Sequence, residues 1–175
     1  GKSAADFGTG KPYIPYLNIF TNGRIDPQWM EFVKVDPGER QSCVQEGDLF
    51  FTTSSETVEE VGMTSVLLDD IGEAYLNSFC FGFRLYDFET LLPEYAVHLF
   101  RGQEVRKAIS LLGQGSTRYN LPKTTLLERL TLKLPDPTTQ RTIARILGTV
   151  DGLIERTEAL IAKQQQIKQG LLHDL

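Results

Sequence analysis

The stretch PDPTTQRTIARILGTVDGLIERTEALIAKQQQIKQGLL, Pro135 to Leu172, divides this chain in two. Asp136 is suited to capping a helix and Pro137 to the first helical position. From Ile143 onward a heptad register holds. Its a positions are Ile143, Val150, Thr157, Gln164 and Leu171, and its d positions are Ile146, Leu153, Leu160 and Ile167. Leu147, Ile154 and Ile161 widen the seam at e. A continuous helix here would extend roughly 50 Å at 1.5 Å per residue, further than the rest of the chain easily covers. Its apolar stripe therefore calls for a second helix, from another chain or from a missing part of this one. The competing reading folds it back on its own head. Thr157 and Gln164 cost seam stability but fix register and partner number. Gly148, Gly152 and Gly170 each weaken the helix by about 1 kcal/mol relative to Ala, or permit close helix approach.

Upstream of Pro135 the pattern changes to short aromatic-rich runs separated by Gly, Pro, Asn and Asp. Tyr13–Phe20, Met30–Val35, Asp48–Thr53 and Met63–Leu68 read as strands. The best strand alternates Phe79, Phe81, Phe83 and Leu85 with Cys80, Gly82 and Arg84, the period of a half-buried sheet. Pro93 opens a helix carrying Tyr95, Ala96, Leu99 and Phe100. Val105, Ala108, Ile109 and Leu112 mark a second, ended by Gly113. Leu130–Leu134 reads as a last short strand. The expectation is an α+β protein, with a mixed, twisted-sheet domain over residues 1–135 and a long coiled-coil-forming helix over 136–175.

The 175 residues carry a net charge of −5, which by itself disfavours nucleic acid. The charge is unevenly spread. Asp36 to Glu94 holds 13 acids against Arg40 and Arg84, whereas Arg101 to Lys133 holds seven bases against Glu104 and Glu128. Both stretches also read as solvated faces. Cys43 and Cys80 are the only cysteines, and nothing requires a disulfide; a reduced, cytoplasmic state is expected. A zinc site lacks ligands, and no run reaches the length of a membrane helix.

No catalytic pattern emerges. Gly8-Thr9-Gly10-Lys11 fails as a phosphate loop, because Ala5 and Pro12 occupy the other required places. Ser54 and Ser55 lack a nucleophile elbow. His98 lies in an apolar helix and reads as packed or surface. Base-reading chemistry is better represented. Gln114, Gly115, Ser116, Thr117, Arg118, Tyr119 and Asn120 form a loop whose Arg suits guanine and whose Gln and Asn suit adenine. Thr52, Thr53, Ser54 and Ser55 form a second polar cluster, and Asn77 with Ser78 a third. Each alone also reads as turn chemistry.

Five blocks carry a resemblance. They are Tyr13–Ile19 (YIPYLNI), Gly47–Glu56 (GDLFFTTSSE), Asn77–Arg84 (NSFCFGFR), Gln114–Leu121 (QGSTRYNL) and Leu134–Leu147 (LPDPTTQRTIARIL). In order and spacing they resemble the specificity subunit of type I restriction-modification enzymes, over almost the whole chain. The junction into the long helix is the most specific block.

That resemblance implies a non-catalytic subunit with no cofactor of its own. The assembled complex would be an adenine-specific DNA methyltransferase and ATP-dependent endonuclease. Its methylation and restriction subunits would bring S-adenosylmethionine, ATP and magnesium. A specificity subunit normally carries two recognition domains, each reading half of a split target, with two long helices setting their spacing. This chain has one of each. It is therefore a half-length subunit, expected to form a homodimer, or an excised half of a longer one. The expected DNA contacts are Gln114, Ser116, Thr117, Arg118 and Asn120. Tyr119 stacks on a base or packs beneath the loop. Lys123, Arg106 and Lys107 hold the phosphate backbone, with Ser54, Ser55, Asn77 and Ser78 in reserve. The rival readings are an assembly module without DNA readout and a carboxylate-dependent nuclease.

Overall fold

The computed structural model describes residues 2–173, with side chains through residue 170. In chain order a short 3₁₀ turn (Ala4–Asp6) leads into β1 (Phe7–Ile14), α1 (Tyr16–Thr21), β2 (Glu31–Val33), β3 (Leu49–Thr52), β4 (Ser54–Ser55), β5 (Thr64–Val66), β6 (Tyr75–Leu76) and β7 (Cys80–Phe83). Then come α2 (Pro93–Arg101), α3 (Gln103–Ser110), β8 (Tyr119–Asn120), α4 (Lys123–Arg129) and α5 (Pro137–His173). The architecture is α+β: three small sheets, a cluster of short helices and one long C-terminal helix.

Phe50 and Phe51 are adjacent, fully buried, and belong to different cores. The cause is β3, whose successive side chains point to opposite faces. β3 is the middle strand of the order β5-β3-β7, antiparallel to both neighbours. Leu49 and Phe51 face helices α2, α3 and α4 and meet Tyr95, Phe100, Ile109 and Leu126. Phe51 stacks on Phe81 and makes edge contacts with Phe83 and Phe100. Phe50 faces the other way, towards Ile14, Ile19, Ile25 and Leu67. The second sheet, β2-β1-β6, lies on that side, with β1 antiparallel to β2 and parallel to β6.

Three sequence expectations need correction. Tyr13–Phe20 is not one strand: β1 ends at Ile14, and Pro15 precedes α1. Proline has no N–H with which to extend a ladder, and its fixed φ suits a helix start. Buried Asn18 then anchors α1, donating to the carbonyls of Asp26 and Trp29 and accepting the amide of Asp26. Leu130–Leu134 is not a strand either. Leu130, Leu132 and Leu134 do pack inward at alternate positions, but no strand pairs with them among the described residues. Helix α4, just before them, has no counterpart in the sequence expectations. Finally, Phe79 lies outside the strand that was expected to bury it, and 61% of its surface is exposed.

The long helix forms as expected. Asp136 Oδ1 accepts the amides of Thr138 and Thr139 at 3.0 and 3.1 Å, capping two of the free N–H groups of α5. Its 37 residues extend about 55 Å. The first turns lie alongside α2. Gln140 meets Leu92, and further on Asp151 faces His98 across 3.7 Å. Ile143 and Ala144 pack into the head, so a seam that starts at Ile143 is one position early and the exposed stripe starts at Ile146. From Ile146 the stripe is exposed: Val150, Leu153, Leu160 and Ile167, flanked by Leu147, Ile154 and Ile161. Thr157 and Gln164 are exposed with it. The side chain of Leu171 lies outside the described residues.

Candidate nucleic-acid interface

Three polar clusters far apart in sequence meet at one end of the central sheet, and Thr53 joins them. It follows β3, and its amide and hydroxyl both donate to the carbonyl of Phe79, at 2.9 and 2.7 Å. Its own carbonyl accepts the amide of Leu121 at 2.8 Å. One residue thus ties the 77–79 turn to the 114–121 loop. Immediately after it, β4 pairs antiparallel with β8, setting Ser54 opposite Asn120 and Ser55 opposite Tyr119.

The 114–120 loop is a closed hairpin. Gln114 and Asn120 exchange both backbone hydrogen bonds at 2.8 Å. The turn requires Gly115, whose φ is +136°, and a Cβ there would sit 2.0 Å from the carbonyl oxygen of Arg118. Gln114, Ser116, Thr117, Arg118 and Asn120 are all exposed on this frame. Arg118 Nε donates to Ser54 Oγ at 3.3 Å, while its two terminal nitrogens make no hydrogen bond among the described residues. The planar fork that matches guanine or phosphate is therefore held at its base and free at its tip. Tyr119 is half-buried and packs on the helix-side core, so of its two expected roles the structure shows the packing one.

The remaining candidates divide between surface and scaffold. Asn77 Oδ1 accepts the amide of Phe79 at 2.8 Å, a turn-forming bond, and Ser78 is exposed beside it. Ser54 and Ser55 are buried. Ser54 supports Arg118, whereas Ser55 donates to the carbonyl of Thr57 within its own turn and meets the hairpin through its backbone pairing with Tyr119. Lys107 is exposed on α3. Lys123 is exposed too, but its ammonium rests 4.8 Å from the Phe83 ring centroid and donates to the carbonyl of Gly82 at 3.3 Å. There it covers the open edge of β7.

Arg106 is not placed to hold a phosphate. Its guanidinium donates to the carbonyls of Glu59, Val61 and Gly62 at 2.7–2.8 Å, fastening the β4–β5 loop to α3. Arg101 is used in the same way, reaching the carbonyls of Ile19, Phe20, Asn22 and Thr64 at 2.6–3.1 Å. Burial, with the charge of Arg106 adding to it, pushes the Arg101 guanidinium down to about 10. Two of the seven bases counted between Arg101 and Lys133 are thus spent inside the protein. The loop that Arg106 fastens follows directly on Ser54 and Ser55 and carries Glu56, Glu59 and Glu60, negative charge that opposes a pull on phosphate.

The opposite end of β3 is the α5 end. Glu46, Gly47 and Phe88 share a cavity there with Arg141, Ala144 and Arg145 of α5. Polar loops and long helix are therefore separated by the length of the central sheet. Among the described residues, no group of three or more metal-ligating side chains is assembled, and no helix is long and apolar enough to cross a membrane.

The chain has no match among the curated proteins. Solved structures resemble it in fold. One is the S subunit of a type I restriction-modification system from M. genitalium, with a TM-score of 0.53 and 15% identity over 93% of this chain and 41% of that one. Another comes from a study of complex assembly and conformational transition of the type I R-M system, with a TM-score of 0.57 and 15% identity over 94% of this chain and 37% of that one. The chain thus spans about two-fifths of the length of each. Over residues 6–169 the sequence matches the family model for the type I restriction modification DNA specificity domain, and the chain belongs to that family.

Proposed function

We propose that this chain reads one half of a bipartite DNA target and, through α5, positions a methylation subunit and a restriction subunit on that DNA. The observation that carries the reading is the knot at Thr53. It ties three separate polar segments together, and the hairpin among them carries the free tip of Arg118. Gln114, Ser116, Thr117 and Asn120, exposed on the same hairpin, add the donors and acceptors used at base edges. Lys107 is exposed and suited to a phosphate, and Lys123 is exposed as well, though its ammonium would have to leave the Gly82 carbonyl to reach one.

The exposed stripe from Ile146 to Ile167 supports the second half of the reading. Such a stripe pairs with another helix. Two copies related by a two-fold axis would present two identical heads at a fixed separation and select a palindromic split site. The S-adenosylmethionine, ATP and magnesium needed by the assembled enzyme would be held by its other subunits. The net negative charge predicts that the chain alone binds DNA weakly and that its partners add positive surface.

The test uses the chain assembled with the methylation subunit and a library of random-sequence duplexes. The expected result is selection of a split motif, detected as methylated adenines. Arg118→Ala should lower affinity for that motif at least tenfold or relax the base choice at one position. Unchanged affinity and unchanged motif would remove Arg118 from the interface. Failure of the assembly to select any motif would overturn DNA readout by this head.

A further inference from the structure

We propose that Phe79 is a specificity-determining residue that makes an apolar contact with a thymine methyl group in the major groove. The inference rests on the DNA-reading role above and adds a recognition element that the polar loops do not supply.

Phe79 is out of place by the rules of its own segment. Phe81, Phe83 and Leu85 follow it at two-residue intervals and pack on the helix-side core. Phe79 keeps their phase but stands outside, 61% exposed. An exposed apolar ring is unremarkable by itself. This one, however, is held from both sides. Its amide is bound by Asn77 Oδ1, and its carbonyl takes two bonds from Thr53. The ring is therefore carried on a fixed backbone that cannot swing inward without breaking three hydrogen bonds.

Its position is equally restricted. The carbonyl of Phe79 and the amide of Leu121 are bonded to the same residue, so the ring stands beside the hairpin that carries Arg118 and Asn120. Apart from Tyr119, which packs inward, the expected contacts on this surface are polar or charged. The major groove offers donors, acceptors and one kind of apolar group, the C5-methyl of thymine. An exposed phenyl ring on a fixed backbone complements that methyl, and the polar side chains of the neighbouring loops complement the rest.

The contact can be isolated chemically. The duplex selected by the assembled wild-type protein is remade with deoxyuridine in place of each thymidine in turn, which deletes one methyl group and preserves base pairing. Wild-type affinity should fall about fourfold at one position, the effect of one buried methyl. Phe79→Ala should weaken binding to the thymidine duplex by a similar factor, and the deoxyuridine duplex should then cost nothing further. Because the ring is exposed, thermal stability of Phe79→Ala should match the wild type, separating the result from misfolding. Two outcomes would overturn the proposal: no sensitive position in the wild type, or equal sensitivity in the variant, which is an equal loss by the variant on both duplexes and would indicate stacking or no contact instead. If the wild-type assembly selects no duplex, the DNA-reading role itself fails.

Discussion

The side-chain carbonyl of Gln140, in the first turn of α5, accepts the backbone amide of Leu92 at 3.0 Å in a site from which water is excluded. The Gln140 amide group donates to the carbonyls of Thr90 and Pro135 at 3.0 and 2.9 Å. One side chain thus joins the start of α2, the segment before it, and the linker into α5. Gln140→Leu would leave an amide and two carbonyls without partners. A loss of about 2 kcal/mol is expected, most of it from the buried Leu92 amide, since a buried unsatisfied group costs roughly 1–3 kcal/mol and the other two bonds are only partly shielded from water. Urea unfolding of the full chain measures it. An unchanged midpoint would show that this junction does not hold the helix to the head.

Arg106 and Lys107 are neighbours with opposite fates, and two substitutions separate them. Arg106→Met removes bonds to three carbonyls and should destabilise by about 3 kcal/mol. Lys107→Ala, at an exposed position, should change stability by less than about 0.5 kcal/mol. If Lys107 meets phosphate, its loss should instead lower DNA affinity and reduce the salt slope by about one. Equal stability of the two variants would contradict the clamp.

The hairpin depends on Gly115. Gly115→Ala places a Cβ 2.0 Å from the carbonyl oxygen of Arg118, in a backbone conformation that alanine avoids. The expected result is a reorganised 114–120 loop, with stability lower by about 1–3 kcal/mol and DNA selection lost in the assembled complex. Chemical shifts confined to residues 113–121 and 52–55 would locate the change. Full retention of target selection would show that the loop geometry does not matter for readout.

The exposed stripe on α5 predicts self-association. Leu160 is 61% exposed and lies beyond the part of the helix that touches the head. Leu160→Asp should therefore leave head stability unchanged while converting a dimer to a monomer in sedimentation equilibrium. A wild-type chain that sediments as a monomer at all concentrations would assign the stripe to a different partner helix.

The two cysteines should behave differently. Cys43 is exposed, whereas burial pushes the Cys80 thiol up to about 12. Thiolate is the reactive form. A thiol reagent at pH 8 should modify one cysteine in the native chain and two in denaturant. Modification of both without denaturant would show that the core around Phe50 opens readily.

The long helix, its cap at Asp136 and the positions of the central strands are legible in the chain's own pattern. These depend on local periodicity, which is written along the chain. Even there the periodicity starts the seam one position early, because Ile143 packs against the core of the head, which no local pattern names. The polar loops were legible as composition, and Gln114–Asn120 stayed together because a hairpin is a local object. Their union with Ser54 and Asn77 was not legible, since it rests on two backbone bonds to Thr53 from residues 26 and 68 positions away. Tertiary structure alone decided which cations were free. Arg106 meets the carbonyls of an acidic loop and is spent; Lys107 faces solvent and is available. A guanidinium is recruited by whichever unsatisfied carbonyls the fold brings within about 3 Å, and that proximity is a property of three-dimensional packing.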